Sequence, residues 1–382
     1  MSRIDELMRA LCPDGVPHRR LSEVARIRNG RDYKHLGPGE IPVFGTGGVM
    51  TTVDVAAYAK PSVLIPRKGS LDKLYYVDTP FWTVDTIFYT EIDEAQIAPK
   101  FLYYFLATQH LEDLNQAGGV PSLTQTVLNG LKIPVPPLEV QREIVRVLDT
   151  FTELEAELEA ELEARRLQYV HYRQLLLDQA CAETVGLATL GEWRGGMTPS
   201  RANPDYWDAG DMPWLASMDV SDSSRDGIRG RVTALALKET PLRIVPAPSV
   251  AVVMRSNILR RRLPIGLVEV DTTLNQDMRA LVPRDGVDAR YVYQALLAAS
   301  ERIRSECVRT DGSMAAVDSA GFFSWQIPLP SLGEQRRIAA QLDKFDALVN
   351  DLSIGLPAEL AARRKQYEYY RDRLLTFREA VA

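Results

Sequence analysis

One stretch occurs twice in the 382-residue chain, and it limits what the rest can be. The first copy reads Ile133-Pro134-Val135-Pro136-Pro137-Leu138, then Gln141-Arg142 and Ile144. The second reads Ile327-Pro328-Leu329-Pro330-Ser331-Leu332, then Gln335-Arg336 and Ile338. The offset of 194 holds through Leu148/Leu342, Asp149/Asp343 and Phe151/Phe345. The match resumes at an offset of 198, with Ala164-Arg165-Arg166 and Gln168-Tyr169 against Ala362-Arg363-Arg364 and Gln366-Tyr367, so the second copy carries four extra residues. A repeat this long is no solenoid. It implies a duplicated plan: varied segment, long helix, varied segment, long helix.

The helical reading follows from spacing. Pro136-Pro137 stops any earlier helix, and Leu138 to Asp178 then reads as one helix. Its apolar residues Ile144, Leu148, Phe151, Leu154, Leu158 and Leu162 fall at steps of three and four. The centre, Leu154 to Arg165, is Leu-Glu-Ala-Glu twice and then Leu-Glu-Ala-Arg, all strong helix formers. Such a helix is roughly 60 Å long and needs a partner along its length. Ile338, Leu342, Phe345, Leu348 and Leu352 repeat the stripe; Gly355 and Pro357 should break it, with Pro357 opening a further helix to about Arg378.

The varied segments read differently. Residues 1–17 suggest a short helix and a turn. From His18 to Gly130 come short β-like runs: Ile41 to Phe44, Ser62 to Ile65, Leu74 to Val77 and Thr86 to Tyr89. A helix is expected at Lys100 to His110, before a loop at Gly118-Gly119. The result is a mixed α+β domain. The second segment, Gly186 to Trp325, shares a faint skeleton with it. Ile65-Pro66-Arg67 parallels Val253-Met254-Arg255, Thr83-Val84-Asp85 parallels Thr273-Leu274-Asn275, and Gly118-Gly119 parallels Gly312-Ser313.

Charge and cysteine content narrow the classes. Net charge is −6, yet Glu139 to Glu163 alone holds nine acidic and two basic side chains. One acidic helix therefore hides a near-neutral body with local basic clusters, and the clusters matter more than the total. No run of about 18 apolar residues suggests a membrane span. Cys12, Cys181 and Cys307 are too scattered for a disulfide framework or a metal site and fit a reducing cytoplasm.

These residues resemble a known family, the specificity subunits of Type I restriction–modification systems. Gly195-Gly196-Met197-Thr198-Pro199-Ser200, Asn203-Pro204-Asp205-Tyr206-Trp207 and Pro213-Trp214 are similar to the opening of its target recognition domains. The Ile-Pro-x-Pro run with Glu334 to Ile338 is similar to the start of its central region, and Gly355 to Glu359 with Arg363 to Tyr370 to the end. In the first copy Val140 replaces the usual Glu, and Leu-Glu-Ala-Glu quartets replace the Gly-Leu-Pro break. The resemblance implies an α+β chain of two mixed α/β target recognition domains joined by two long antiparallel helices forming a coiled coil. The expected boundaries are 1–135 for the first domain, 136–180 for a spacer helix, 181–328 for the second domain and 329–382 for a second spacer, broken near 355–357. It also implies a bipartite, asymmetric double-stranded DNA target, each domain reading one half. The subunit would be a non-catalytic, cytoplasmic protein. It would bind no cofactor, recruiting two adenine methyltransferase subunits that carry S-adenosylmethionine, and optionally restriction subunits.

No enzyme of its own is legible. Asn203-Pro204-Asp205-Tyr206 has a superficial likeness to the Asn-Pro-Pro-Tyr loop of adenine methyltransferases, but no glycine-rich loop precedes it to hold a methyl donor. Gly45 to Gly48 lacks the Gly-Lys-Ser/Thr of a phosphate loop, Pro13-Asp14 and Glu23 lack a nuclease's downstream Glu-x-Lys, and His18, His35, His110 and His171 are scattered. Two basic clusters stand out. His18 to His35 holds Arg19, Arg20, Arg26, Arg28, Arg31 and Lys34, and Met254 to Arg262 holds Arg255, Arg260, Arg261 and Arg262 without an acid. Arginines read guanine or hold phosphate; the plain alternative is a solvated face. The candidate DNA contacts are Arg28, Arg31, Lys34, Arg67, Lys68, Ser70 and Ser122 in the first domain. In the second they are Thr198, Ser200, Arg201, Arg255, Asn257, Arg260, Arg261, Gly312 and Ser313. Arg165, Arg166, Tyr169, Arg363, Arg364 and Tyr367 are candidates for the partner interface. Two rivals remain: a coiled-coil scaffold without base readout, and a self-sufficient DNA methyltransferase.

Overall fold

The computed structural model describes residues 3–115, 121–179, 183–221, 227–350 and 355–380. Gly118-Gly119, Cys181 and Leu352 lie outside them. The first varied segment runs α1 (Arg3–Leu11), β1 (His18–Arg20), α2 (Leu21–Val24), β2 (Ala25–Asn29), β3 (Ile41–Gly45), β4 (Gly48–Val53), β5 (Ser62–Pro66), β6 (Tyr75–Val77), β7 (Trp82–Thr83), β8 (Ile87–Ile92), α3 (Pro99–Leu106), α4 (Gln125–Asn129) and β9 (Lys132–Pro134). Helix α5 follows over Leu138–Asp178, the span that its periodicity predicts. The second segment runs β10 (Thr184–Gly186), β11 (Gly191–Gly195), β12 (Met212–Leu215), α6 (Ser217–Ser221), β13 (Gly230–Val232), α7 (Ala234–Glu239), β14 (Ser249–Val253), β15 (Ile265–Val268), β16 (Thr273–Leu274), β17 (Met278–Pro283), α8 (Ala289–Cys307), β18 (Val308–Arg309), β19 (Ala316–Val317), α9 (Ser319–Ser324) and β20 (Gln326–Pro328). Helices α10 (Leu332–Asn350) and α11 (Leu356–Leu375) complete it. Gly355 takes φ +80°, a left-handed conformation that glycine adopts without Cβ strain, immediately before α11.

The chain forms two compact units that do not follow its linear segments. One comprises Met1–Glu157 with Ala362–Ala382, the other Leu158–Ala361. Helix α5 therefore serves both, and so does α11.

Each unit carries the same sheets. In the first, a four-stranded sheet runs β2-β8-β5-β6 beside a three-stranded β4-β3-β7; in the second they are β11-β17-β14-β15 and β13-β12-β16. The small sheets contain one parallel pair each, β3 with β7 and β12 with β16. The Ile-Pro run of each repeat closes its domain as a strand: His18 lies opposite Pro134, and Thr184 opposite Pro328. Ile65, Phe88, Phe101, Leu102, Ile144 and Leu148 share one core, and Val252, Leu281, Tyr291, Leu296, Ile338 and Leu342 share the other.

The repeated glutamine joins helix to domain. Gln141 is fully buried and accepts from the Ala98 amide at 2.7 Å; its own amide donates to Gln96 O at 2.9 Å and Pro136 O at 2.6 Å. Gln335 repeats this, accepting from Asp288 N at 2.8 Å and donating to Gly286 O at 3.0 Å and Pro330 O at 2.7 Å. The repeated aspartate adds a second tie. Asp149 takes the Lys100 ammonium at 2.8 Å and the Tyr104 hydroxyl at 2.7 Å, and Asp343 takes Arg290 at 3.1 Å. Burial and the Asp149 carboxylate push the Tyr104 hydroxyl far above the ordinary phenol range, so it stays a donor.

Side-chain pairing in the helices crosses between the copies. Phe151 packs on Tyr367 and Tyr370 at 6.3 and 5.6 Å, with Arg364 on Glu155 at 2.6 Å, which sets α5 and α11 antiparallel in the first unit. Phe345 packs on Tyr169 and Tyr172 at 6.4 and 5.2 Å in the second. Two expectations are corrected here. Tyr169 is only 3% exposed, and its hydroxyl meets Gln294 at 3.2 Å, so it is a core residue with no face left for a partner. Tyr367 is half-buried against the first core and stays a candidate for the partner interface. The predicted stripe is also interrupted: Leu154 is 42% exposed, at the passage of α5 from one unit to the other.

Backbone pairing corrects the alignment of the two segments by one residue. Arg31 N donates to Thr83 O, and Met197 N to Leu274 O. Lys68 N donates to Thr86 O, and Arg255 N to Asp277 O. Thr83 thus corresponds to Leu274, and Arg255 to Lys68 rather than Arg67. Strands this short, alternating every two residues, leave the register to be fixed by these bonds.

Candidate nucleic-acid interface

At one end of each sheet pair, four backbone segments converge. In the first unit they are Gly30–Lys34 after β2, the turn at Asp85 between β7 and β8, Arg67–Ser70 after β5, and Pro121–Leu123 before α4. They are stitched together: Arg67 N and Lys68 N donate to Thr86 O, Gly69 N to Pro121 O, and Leu123 N to Arg67 O. The second unit builds the same junction. Met254 N and Arg255 N donate to Asp277 O, Ser256 N to Ala315 O, and Val317 N to Met254 O. The approach is close enough to demand glycine. A Cβ on Gly30 would lie 2.0 Å from Val84 O, and one on Gly196 would lie 2.1 Å from Asn275 O. An indole secures each crossing: Trp82 donates to Arg31 O at 2.9 Å, and Trp214 to Met197 O at 3.0 Å.

Most of the candidate DNA contacts collect here. Arg31, Lys34, Lys68 and Ser70 are exposed around the first junction. Lys68 bridges Ser122 in an isolated ladder step, and the Ser122 amide is held by the Asn115 side chain at 3.0 Å. Arg67 is half-buried; its guanidinium donates to Asp85 O at 3.3 Å and lies 5.8 Å from the Phe88 ring. Arg28 is different. It sits within β2 and pairs with Glu91 across the sheet at 2.9 Å, a bond that holds its guanidinium more firmly protonated. Arg19 likewise bonds Gln96. The N-terminal basic cluster is therefore split by the fold.

In the second junction Thr198 bonds the Gln276 side chain. Ser200 is exposed, and its carbonyl accepts the Trp207 indole at 3.1 Å. The exposed Arg201 guanidinium lies 3.7 Å over the Trp207 ring and 5.2 Å from Trp214, a cation held on aromatic faces. The Asn203 side chain caps the following turn through Asp205 N at 3.2 Å, a structural use of the Asn-Pro-Asp-Tyr run. Arg255 faces Asp277 at 3.3 Å. Asn257 is exposed and opens a 3₁₀ turn capped by Ser256. Arg260 donates to Thr310 O and Gly312 O, both at 3.0 Å, and so fixes the loop bearing Gly312 and Ser313. Arg261 is exposed beside it. Two exposed residues at the centre, Asp85 and Gln276, escape the sequence reading. The one usable signal is their place after the Thr-Val and Thr-Leu-Asn runs.

On the helices, Arg165 meets Glu161 at 3.3 Å and Gln168 at 3.1 Å, and Arg166 meets Glu163 at 4.0 Å. Arg363 and Arg364 are exposed. Among the described residues no three His, Cys, Asp or Glu side chains cluster as metal ligands, and no helix is long and apolar enough to cross a membrane.

Known proteins agree with this architecture. A family model described as the Type I restriction modification DNA specificity domain matches twice, at residues 13–164 and 182–362. The chain is 38% identical over 300 residues to the Type I restriction enzyme EcoR124I/EcoR124II specificity subunit of Escherichia coli, covering 75% of this chain and 73% of that one. It is 26% identical over 352 residues to a putative type I restriction enzyme specificity subunit, S.HindORF215P, of Haemophilus influenzae, covering 89% of both. Its fold is similar to a chain in a solved structure addressing complex assembly and conformational transition of the type I R-M system, with TM-score 0.62, 16% identity and coverage of 95% of this chain and 98% of the other. The S subunit from M. genitalium gives a TM-score of 0.54 at 17% identity, covering 94% of both. With the same junction built twice and the family model matching both copies, the chain belongs to the family of Type I restriction–modification specificity subunits.

Proposed function

We propose that this chain is the sequence-specific DNA recognition subunit of a Type I restriction–modification complex. Each domain reads one half of a bipartite, asymmetric site. The observation that carries this is the doubled junction: one backbone frame, two different sets of exposed polar and basic side chains. A frame held by hydrogen bonds from four segments places side chains rigidly, as base readout requires. Cations at its rim would hold phosphates and set register, while the central residues meet base edges.

Chemistry belongs to partners in this reading. Adenine methylation needs the base flipped into a catalytic pocket with S-adenosylmethionine. Two methyltransferase subunits supply both, and restriction subunits join where the system has them. The subunit itself is non-catalytic and works in the cytoplasm. Arg165, Arg166, Arg363 and Arg364 project from the helices as the surface for those partners.

The test is a domain exchange. Residues 186–325 are replaced by those of another family member, the complex is assembled with its methyltransferase subunits, and methylated sites are mapped by sequencing. One half of the motif should change and the other persist. Change in both halves or in neither rejects independent readout. Sequence-blind binding by the parent complex would favour the scaffold reading, and methyl transfer by the isolated chain would favour a self-sufficient enzyme.

A further inference from the structure

We infer that Asp85 and Gln276 are base-reading residues at matching positions of the two domains, Asp85 selecting cytosine and Gln276 selecting adenine in the major groove. This rests on the reading of the chain as a DNA recognition subunit.

Position comes first. Each residue is the exposed tip of the turn joining the two sheets of its unit. The residue before it is buried: Val84 in one unit, Asn275 in the other. Both flanks are pinned. Val84 N donates to Phe44 O at 3.0 Å, and Thr86 O accepts from Arg67 N at 2.9 Å and Lys68 N at 3.3 Å. Correspondingly, Asn275 N donates to Leu215 O at 3.0 Å, and Asp277 O accepts from Met254 N at 2.8 Å and Arg255 N at 3.2 Å. Two turns held alike present two different side chains, which is what a shared scaffold with separate specificities requires.

Chemistry then separates them. Gln276 is bonded by the Thr198 hydroxyl, which fixes the plane of its amide. The amide keeps an acceptor lone pair and N–H donors, the pair that matches adenine N6 and N7. Asp85 is acceptor-only when ionised. It lies beside Arg67, whose guanidinium bonds its backbone carbonyl rather than its carboxylate. An acid on a DNA-facing surface is repelled by phosphates unless a base donor compensates. Cytosine N4 is such a donor with an acceptor, guanine O6, on one side only, whereas adenine N6 lies between N7 and thymine O4, both of which a carboxylate repels.

The experiment uses the complete complex of this chain with its methyltransferase subunits. Motifs are mapped, and affinities are measured on DNA panels with every motif base substituted, for the parent, Gln276→Glu, Gln276→Ala, Thr198→Val and Asp85→Asn. Gln276→Glu should move one position of one half-site from adenine toward cytosine and weaken the parental site roughly 10- to 100-fold. Gln276→Ala and Thr198→Val should lose discrimination at that same position. Asp85→Asn should act only on the other half, at a cytosine. All four changes are at or beside the surface, and unchanged thermal unfolding of at least Gln276→Ala keeps the comparison valid. An unaltered motif and affinity in the Gln276 and Asp85 variants overturns the inference while leaving DNA recognition intact. So does a loss that is uniform over all sequences. A parent complex without sequence preference overturns both.

Discussion

Gln141→Leu tests the reason the repeat exists. The side chain is fully buried and serves three backbone groups, Ala98 N–H, Gln96 C=O and Pro136 C=O. Leucine fills a similar volume and satisfies none of them. A buried polar group left without a partner costs about 1–3 kcal/mol. Two of the three are carbonyls with a second lone pair, so the total should be about 3–6 kcal/mol. A unit of this size loses roughly 2–4 °C per kcal/mol, which gives a fall of roughly 6–24 °C. Scanning calorimetry of the full chain should show the first unit's transition moving and the second's staying. Gln335→Leu should do the reverse, through Asp288 N, Gly286 O and Pro330 O. Gln141→Glu retains the acceptor but turns a charged oxygen toward two carbonyls, and should cost at least as much. Arg142→Ala, next in the motif and exposed, should stay within about 0.5 kcal/mol. A Gln141→Leu protein within about 1 kcal/mol of the parent would refute the clamp.

Two further outcomes are expected. Arg261→Ala should weaken DNA binding by the complex evenly across sequences and lower the salt slope by about one, whereas Arg260→Ala, which frees the carbonyls of Thr310 and Gly312, should raise hydrogen exchange in residues 310–316; equal behaviour of the two would contradict their different bonding. Removing the quartet Leu158 to Glu161 shortens α5 by about 6 Å while turning the face only about 40°, and DNA rises about 3.4 Å per base pair. Methylation mapping should show both half-sites kept and the gap shortened by about one or two base pairs; an unchanged gap with full activity would mean the helix does not set it.

What sequence revealed and what it hid divide by the range of the interactions. Helix α5 was legible because Pro136-Pro137 marks its start, an apolar period runs from Ile144 to Leu162, and the quartets at its centre are strong helix formers. Strands β3, β5, β6 and β8 lie within or beside the β-like runs for a similarly local reason. The split of the basic cluster was not legible, since Arg28 is neutralised by Glu91, sixty-three positions away. Nor was the burial of Tyr169: its place beside exposed Arg165 and Arg166 suggests surface, whereas Phe345 and Gln294, far along the chain, pack on it. Asp85 stayed hidden because an acid counts against DNA when charge is summed, and Gln276 because a neutral side chain stands outside the basic clusters. Their meaning depends on which backbone turn carries them.

The crossed pairing of the helices explains why the copies match in two blocks rather than one. The leading half of the first copy, with Phe151, packs against the trailing half of the second, with Tyr367 and Tyr370. The leading half of the second, with Phe345, packs against the trailing half of the first, with Tyr169 and Tyr172. Each compact unit is thus one varied segment, the leading helix that follows it and the trailing helix of the other copy. Residues within a half are constrained by contacts inside one unit, so Gln141, Asp149 and Phe151 keep an offset of 194 from their counterparts, and Arg165 and Tyr169 keep one of 198. In the stretch joining the halves Leu154 is exposed, while Leu158, Leu162, Leu356 and Leu360 pack on the second core. It is an unbroken helix of Leu-Glu-Ala quartets in one copy and passes through Gly355 in the other. The two copies therefore differ in length between their matched blocks, and each block keeps its own offset because its contacts lie inside one unit.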